Sequence, residues 1–403
     1  MKPLEGLRVA DFSHILAGPL ATHFLTLQGA DVVKIEAKGR GDNLRYYGPD
    51  RRYDGMAPAF INVNAGKRSI ALDLKSKGGR EVARRLIAQA DVVVENFRPG
   101  VMNRLGFDYD ACCELRPGII FCSVSGYGQT GPYRDYPAVD NIVQGTSGMM
   151  SVSGSPGDGP IRVGYPAVDT YTGTLAAMAI ISALLRRERS GKGQYIDIAM
   201  MDASIVLQSA LAVPYMVMGH LLPRSGNTGY SNLPTAGVFD TKGGGKLSIG
   251  AIQQNQFEAL AKGLGHVELL SDPLTATQEA RANPDNRDRI RARLQQIFLE
   301  RTNEEWERML FEAGAPAGVV RGLDEAVDHP SLDSRGLKLP IRIDGLPDRQ
   351  DVHVLNAGFV VDVDQPGTDR PPPRVGEHGD AVLGELGYDD AAIAALREEG
   401  AVG

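Results

Sequence analysis

The first 125 residues alternate short apolar runs with helical stretches, and this alternation restricts the fold more than any other feature of the chain. Leu7 to Phe12 reads as a strand. Gly18-Pro19 opens a helical stretch to Gln28, with proline early in the helix, where its missing N–H goes unneeded, and Gly29 ends it. Asp31 to Glu36 (DVVKIE) is the next strand, followed by a strand at Ser69–Leu72, a helix at Ser76–Ala90 and strands at Asp91–Phe97 and Gly118–Val124. Parallel strands need a crossover, so repeated strand–helix–strand units imply a parallel sheet flanked by helices. The expected class is α/β and Rossmann-like in outline. However, SHILAGP follows the first strand where a dinucleotide dehydrogenase carries G-x-G-x-x-G, so the glycine cradle for a pyrophosphate is missing.

Beyond this, Thr170 to Arg187 is a helix apolar nearly all round, and burial is expected for it. Gln194 to Met200 returns as a strand, and a helical stretch from Met201 to Met218 leads to a Gly- and Asn-containing segment at 226–232. The expected division is a large domain at 1–200, a linker at 201–225, a small α+β domain at 226–320, a second linker at 321–335, and a segment at 336–403 that returns to the large domain. The small domain carries two strands about Gly243–Gly245, which reads as a turn, and helices holding Trp306. The tail has strand-like sequence at 352–361 and a last acidic helix near 389–399.

Composition narrows the function classes. A chain of 403 residues with 42% hydrophobic and 23% charged residues is that of an ordinary globular protein with two domains. The apolar runs are shorter than a membrane span and the start lacks the apolar core of a signal peptide, so a cytoplasmic protein is expected. Three cysteines, Cys112, Cys113 and Cys122, without C-x-x-C spacing, make neither a disulfide framework nor a metal site. The net charge of −7 argues against nucleic acid as partner. Yet between Lys34 and Arg104 there are 15 Lys or Arg against eight Asp or Glu, a local excess of seven. A basic stretch on an acidic chain suits a small polyanion.

Several blocks then cease to look generic. They are LEGLRVADFSHILAGP (4–19), NAGKRSIALDLK (64–75), ADVVVENFRPGVMNRLGFDY (90–109), SVSGYGQTGPY (123–133), DNIVQGTSGMMSVSG (140–154), YPAVDTYTG (165–173) and RRERSGKGQYIDIAMMDA (186–203). In order and spacing the chain resembles the class III CoA transferase family, which includes formyl-CoA and carnitine CoA-transferases and is related to alpha-methylacyl-CoA racemase. The resemblance extends through AGAPAGVV (313–320), DHPSL (328–332) and GEHGDAVLGELG (376–387).

The resemblance implies that Asp169 is a nucleophile that passes CoA between acids through aspartyl anhydride and aspartyl-CoA thioester intermediates. An aspartate just before a helix also reads as an N-cap. Such a carboxylate, with a reference pKa of about 3.9, is ionised at neutral pH unaided. The chemistry exchanges one thioester for another, so neither metal nor permanent cofactor is implied; CoA and acyl-CoA are substrates. By matching motifs, Leu16 and Ala17 approach the thioester, while Lys38, Leu72, Lys75, Asn96, Phe97, Arg98, Arg104, Arg134 and Asp140 contact CoA. Asp140 stands where some relatives have a helpful glutamate. His14 reads as structural beside its apolar run.

An acyl-CoA racemase needs two proton-transferring groups, and where those relatives have His-Asp this chain has Val139-Asp140, which favours transfer. An intramolecular transferase would use the same aspartate, and a silent CoA-binding protein would show no acyl exchange. The resemblance further implies a dicarboxylic acceptor and an interlocked homodimer, each chain threading a ring made by the other.

Overall fold

The computed structural model describes all residues except Leu222, Tyr230 and Asn232; the last two fall in the expected 226–232 segment, which to that extent lies outside the described residues. Six strands, β1 (Arg8–Asp11), β2 (Asp31–Ala37), β3 (Arg68–Leu72), β4 (Val92–Glu95), β5 (Ile120–Ser125) and β6 (Gln194–Ala199), form one sheet in the order β3-β2-β1-β4-β5-β6. Every neighbouring pair is parallel. Successive strand side chains point to opposite faces. Val93 therefore joins Ile70, Val82, Ile87 and Phe121 on one side, while Val92 and Val94 join Val9, Ala176 and Ile180 on the other. Burial on both faces explains why β4 is apolar without alternation.

Helix Ala167–Ser190 packs on the second face against helix Ala17–Leu27 and β5. Gly173 permits the approach: a Cβ there would stand 2.6 Å from the Ala17 carbonyl oxygen and 3.1 Å from Leu20 Cβ. Burial all round was expected of this helix, but Met178 and Leu185 are 59% and 54% exposed. One sheet face covers one stripe of a helix, and the opposite stripe is left open. Among the described residues it is the one unbroken helix long and apolar enough to cross a membrane, which the sequence reading had not anticipated. The helix expected over 201–218 is two, Met200–Leu207 and Ser209–Met218, bent by 81°. At the break the Gln208 amide donates to Ser204 O and Ser147 O.

The chain forms two compact units, one of residues 1–149, 162–219 and 330–403, the other of 150–161 and 220–329. The boundaries differ from those expected. The segment expected as a linker from 201 is helical to Met218 and belongs to the first unit. Residues 150–161 join the second unit, where the Arg224 guanidinium binds the carbonyls of Ser151, Asp158 and Gly159. That unit holds an antiparallel sheet of β7 (Ala236–Asp240), β8 (Lys246–Gly250) and β9 (Ala317–Val319), with Gly243 and Gly244 turning in the left-handed region. Trp306 is buried in its core and donates Nε1–H to Phe298 O at 2.9 Å.

In the first unit β10 (Lys338–Arg342) and β11 (Asp351–Leu355) form a hairpin whose Ile341 and Val354 pack with Phe60 and Val63. The strand expected over 352–361 stops at Leu355, because Asn356 turns its amide to Gly336 O and Pro366 O. The chain ends beside β3, where Gly403 N donates to Ala71 O at 3.0 Å.

Candidate active site

The carboxyl ends of β1 and β2 rest on a buried array of charges. Lys67, wholly buried, spends its three protons on Asp11 Oδ2 (3.0 Å), Pro19 O (2.9 Å) and Asn64 Oδ1 (3.0 Å). Lys34 Nζ donates to Ser13 O at 2.7 Å and pairs with Asp42 Oδ2 at 3.0 Å. Glu36 is held bidentately by Arg45 and accepts from Ser69 Oγ. Burial works to raise the carboxyls of Asp11 and Asp42, yet the ammonium groups of Lys67 and Lys34 beside the first, and Lys34 beside the second, hold both below the usual carboxylate range. Burial pushes Lys67 down to about 8 against the pull of Asp11. Three members of the basic stretch, Lys34, Arg45 and Lys67, are thus buried supports rather than surface charges, and of these Lys34 borders the cavity described next.

Above this array lies a cavity of about 770 Å³ that includes His14, Lys38, Leu72, Lys75, Phe97 and Leu105 in its lining. It opens at the carboxyl ends of β1, β2 and β3, the place where open α/β sheets hold ligands. Four of the expected CoA contacts, Lys38, Leu72, Lys75 and Phe97, meet here. Arg98 and Arg134 do not; they line a second cavity of about 420 Å³ beside Glu95, whose carboxyl burial pushes up to about 7. Arg104 is exposed on the short helix Val101–Leu105 and lines neither cavity. Asn96 is also absent from both linings. Its amide is occupied by the backbone of His14, accepting from His14 N at 2.8 Å and donating to His14 O at 2.7 Å. The His14 ring lies 5.2 Å from the Phe97 ring, and burial lowers its pKa.

Asp169 is the third residue of helix Ala167–Ser190, not its cap; Pro166 holds the cap position and offers no side-chain bond. The capping falls to Asp140, at the start of helix Asp140–Thr146. Its Oδ2 accepts from Val168 N (2.9 Å) and Asp169 N (3.0 Å), and its Oδ1 from Gln144 Nε2 (2.6 Å). Gln144 is steadied in turn by Val163 N, which donates to its Oε1 at 2.9 Å. The Asp169 carboxyl makes no hydrogen bond or ion pair among the described residues and is half-buried. Burial first, and the neighbouring Asp140 charge second, push it up to about 7. This corrects the expectation of a carboxylate ionised without help: the helix-end N–H groups that would have stabilised it serve Asp140. Ala17 and Leu20 meet helix Ala167–Ser190 at Gly173, one turn beyond Asp169. The loop Ser13–Ala17 therefore runs from the large cavity to the Asp169 face of that helix.

The parallel α/β sheet has a roomy cavity at its carboxyl edge, but the loop after β1 reads SHILAGP and lacks the glycine cradle of a dinucleotide dehydrogenase. Residues 4–379 match the model of CoA-transferase family III. The chain belongs to that family and is a class III CoA-transferase. It is 34% identical to a succinate–glutarate CoA-transferase of Agrobacterium fabrum, over 95% of this chain and 96% of that one. It is also 34% identical to an acetyl-CoA:oxalate CoA-transferase of Acetobacter aceti, over 96% and 97% respectively. A crystal structure of a CAIB/BAIF family protein from Brucella suis superposes with a TM-score of 0.84 at 34% identity, covering 96% of this chain and 99% of that one.

Sequence reading missed Asp42, Lys34 and Lys67 as supports of the site, and it missed the bonds of the Asn96 amide to the His14 backbone. A lysine inside DVVKIE is a charge in an apolar strand, which was the available signal. The partner that neutralises it comes from a loop, and no periodicity reports that.

Proposed function

We propose that this chain transfers CoA from an acyl-CoA to a small dicarboxylic acid, with Asp169 as the nucleophile. The state of Asp169 carries the reading: a carboxyl at a helix start, free of side-chain partners, raised to about 7 and relieved of capping by Asp140. A carboxylate with a raised pKa is a stronger nucleophile when ionised, and near pH 7 about half of it is ionised. It attacks the donor thioester carbonyl, giving a mixed anhydride and CoA thiolate. The thiolate attacks the Asp169 carbonyl, forming the aspartyl-CoA thioester and releasing the first acid. The acceptor carboxylate attacks that thioester, thiolate leaves, and thiolate then attacks the acyl carbon of the new anhydride. The products are the new acyl-CoA and free Asp169. No step needs a proton from Val139, the residue where racemase chemistry would need a titrating group.

The nucleotide end of CoA fits the large cavity, with Lys38 and Lys75 near its phosphates. Relatives named for succinate–glutarate and oxalate transfer support a dicarboxylic acceptor. Asp169→Ala should abolish transfer and leave CoA affinity intact, whereas Lys75→Ala should weaken CoA binding roughly ten- to a hundredfold. Hydroxylamine added after acyl-CoA should modify Asp169, read by peptide mass. An active Ala variant with an unmodified wild-type peptide would remove the assignment.

The same reading includes an interlocked homodimer. The open stripe of Met178 and Leu185, with Val213, Met216, Val217 and Met218 on helix Ser209–Met218, is apolar surface of the kind subunit contacts cover. Light scattering on serial dilution should show a dimer at nanomolar chain, with dissociation coincident with unfolding; a folded monomer on dilution defeats it.

A further inference from the structure

Five of the six backbone polar groups of Ser13, His14 and Ile15 are bonded to side chains from other parts of the sheet's carboxyl edge. Ser13 N donates to Asp11 Oδ1 at 2.9 Å and Ser13 O accepts from Lys34 Nζ at 2.7 Å. Asn96 takes both His14 N and His14 O, at 2.8 and 2.7 Å. Ile15 N is shared between the two Asp42 oxygens at 3.1 and 3.2 Å. A three-residue loop seldom receives so many specific bonds, and the reason is visible in its geometry. Ile15 has φ +65°, one of two non-glycine residues at positive φ in the described chain. A β-branched residue is the least suited to that region, so the conformation persists only because its surroundings over-determine it.

The loop also sits between the two parts of the proposed site. His14 lines the large cavity, and the Ala17 carbonyl touches the nucleophile helix at Gly173, four residues from Asp169. Gly18 completes the socket: a Cβ there would stand 2.4 Å from Ser13 Cβ and 3.3 Å from Asn96 Cγ. A shift at His14 or Ile15 would thus move Leu16 and Ala17 relative to Asp169.

We propose that Asn96 is a positioning residue: by clamping both backbone groups of His14 it holds the strained Ser13–Ala17 loop where it sets the acyl end of the CoA thioester against Asp169. In this role the Asn96 side chain acts through the loop. The inference rests on the acyl-transfer reading, and the two fail separately: an active Asp169→Ala protein sinks that reading, while the outcomes below sink only this one.

The test uses the full chain, with a donor–acceptor pair turned over by wild type, succinyl-CoA with glutarate and acetyl-CoA with oxalate being tried first. Asn96→Ala should lower kcat by about ten- to a hundredfold, the scale of an ångström-sized misplacement. KM for the acyl-CoA and Kd for CoA by calorimetry should stay within about threefold. Asn96→Asp keeps the acceptor for His14 N and loses the donor for His14 O; its kcat should fall between, and it serves if the alanine variant does not fold. Adding Ile15→Gly, which adopts positive φ freely, should restore about tenfold of the kcat lost in Asn96→Ala. A weakened CoA affinity at unchanged kcat would make Asn96 a ligand contact. An unchanged kcat, or a loss equal with and without Ile15→Gly, would overturn the positioning role.

Discussion

Two aspartates at the carboxyl edge of one sheet have opposite surroundings. Asp11, wholly buried, has Lys67 at 3.0 Å and accepts from Ser13 and Thr22. Asp169, only half-buried, has a second carboxylate as its charged neighbour and no bonded partner among the described residues. Burial opposes ionisation in both, so burial is not what separates them. The separating factor is whether the adjacent charge offsets burial: beside Asp11 the ammonium groups outweigh it and hold the carboxyl below the usual range, whereas beside Asp169 the Asp140 charge adds to a burial effect that is the larger part of the rise to about 7. A compensated carboxylate holds a loop in place; an uncompensated one is left reactive.

The comparison breaks most severely at Asp11. Asp11→Ala leaves Lys67 buried without its counter-ion, and such a deletion costs about 3–5 kcal/mol. The urea midpoint should fall accordingly, and an unchanged midpoint would mean that Lys67 had lost its proton at no expense. Asp169→Asn should do the reverse. A carboxyl whose folded pKa is raised contributes stability in full below its unfolded value near 4, and that contribution is lost as pH rises through about 7. The Asn variant should therefore melt a few degrees higher than wild type at pH 8 and no higher at pH 4. Equal differences at both pH values would contradict the uncompensated state. The smallest effect is expected for Asp140→Asn, which keeps an acceptor for the helix N–H groups and removes the neighbouring charge. The ascending limb of its kcat/KM against pH should move to lower pH, and a limb that stays or rises would sever the link between Asp140 and Asp169.

The six strands of the large sheet were legible in the sequence, to within two or three residues, because each is an apolar run bounded by Gly, Asp or a capping residue. The helix break at Gln208 and the early end of β11 at Leu355 were not. Both turn on an amide side chain reaching carbonyls distant in sequence, Ser147 for one and Gly336 and Pro366 for the other. At the site, Asp169 stood out through the block YPAVDTYTG, but its protonation did not. That depends first on burial in the folded chain and second on Asp140, which lies 29 residues earlier and reached the reading as an acid of uncertain use. Asn96 shows the same limit from the other side: the ENF block marked its place, while its partners in the His14 backbone emerge only when β1 and β4 lie side by side.

The capping of helix Ala167–Ser190 from Asp140 has one further consequence, for rotational freedom. In the proposed reaction the Asp169 carboxyl must face a carbonyl carbon, then present its own carbonyl to a sulfur, then do both again for the second acid. A side chain tied to two helix N–H groups would have to leave them at each turn, losing charge-assisted bonds each worth about 1.5–3 kcal/mol. With Asp140 taking those N–H groups at 2.9 and 3.0 Å, the few staggered positions open to an aspartate remain available to Asp169, and the helix stays capped whichever one it occupies.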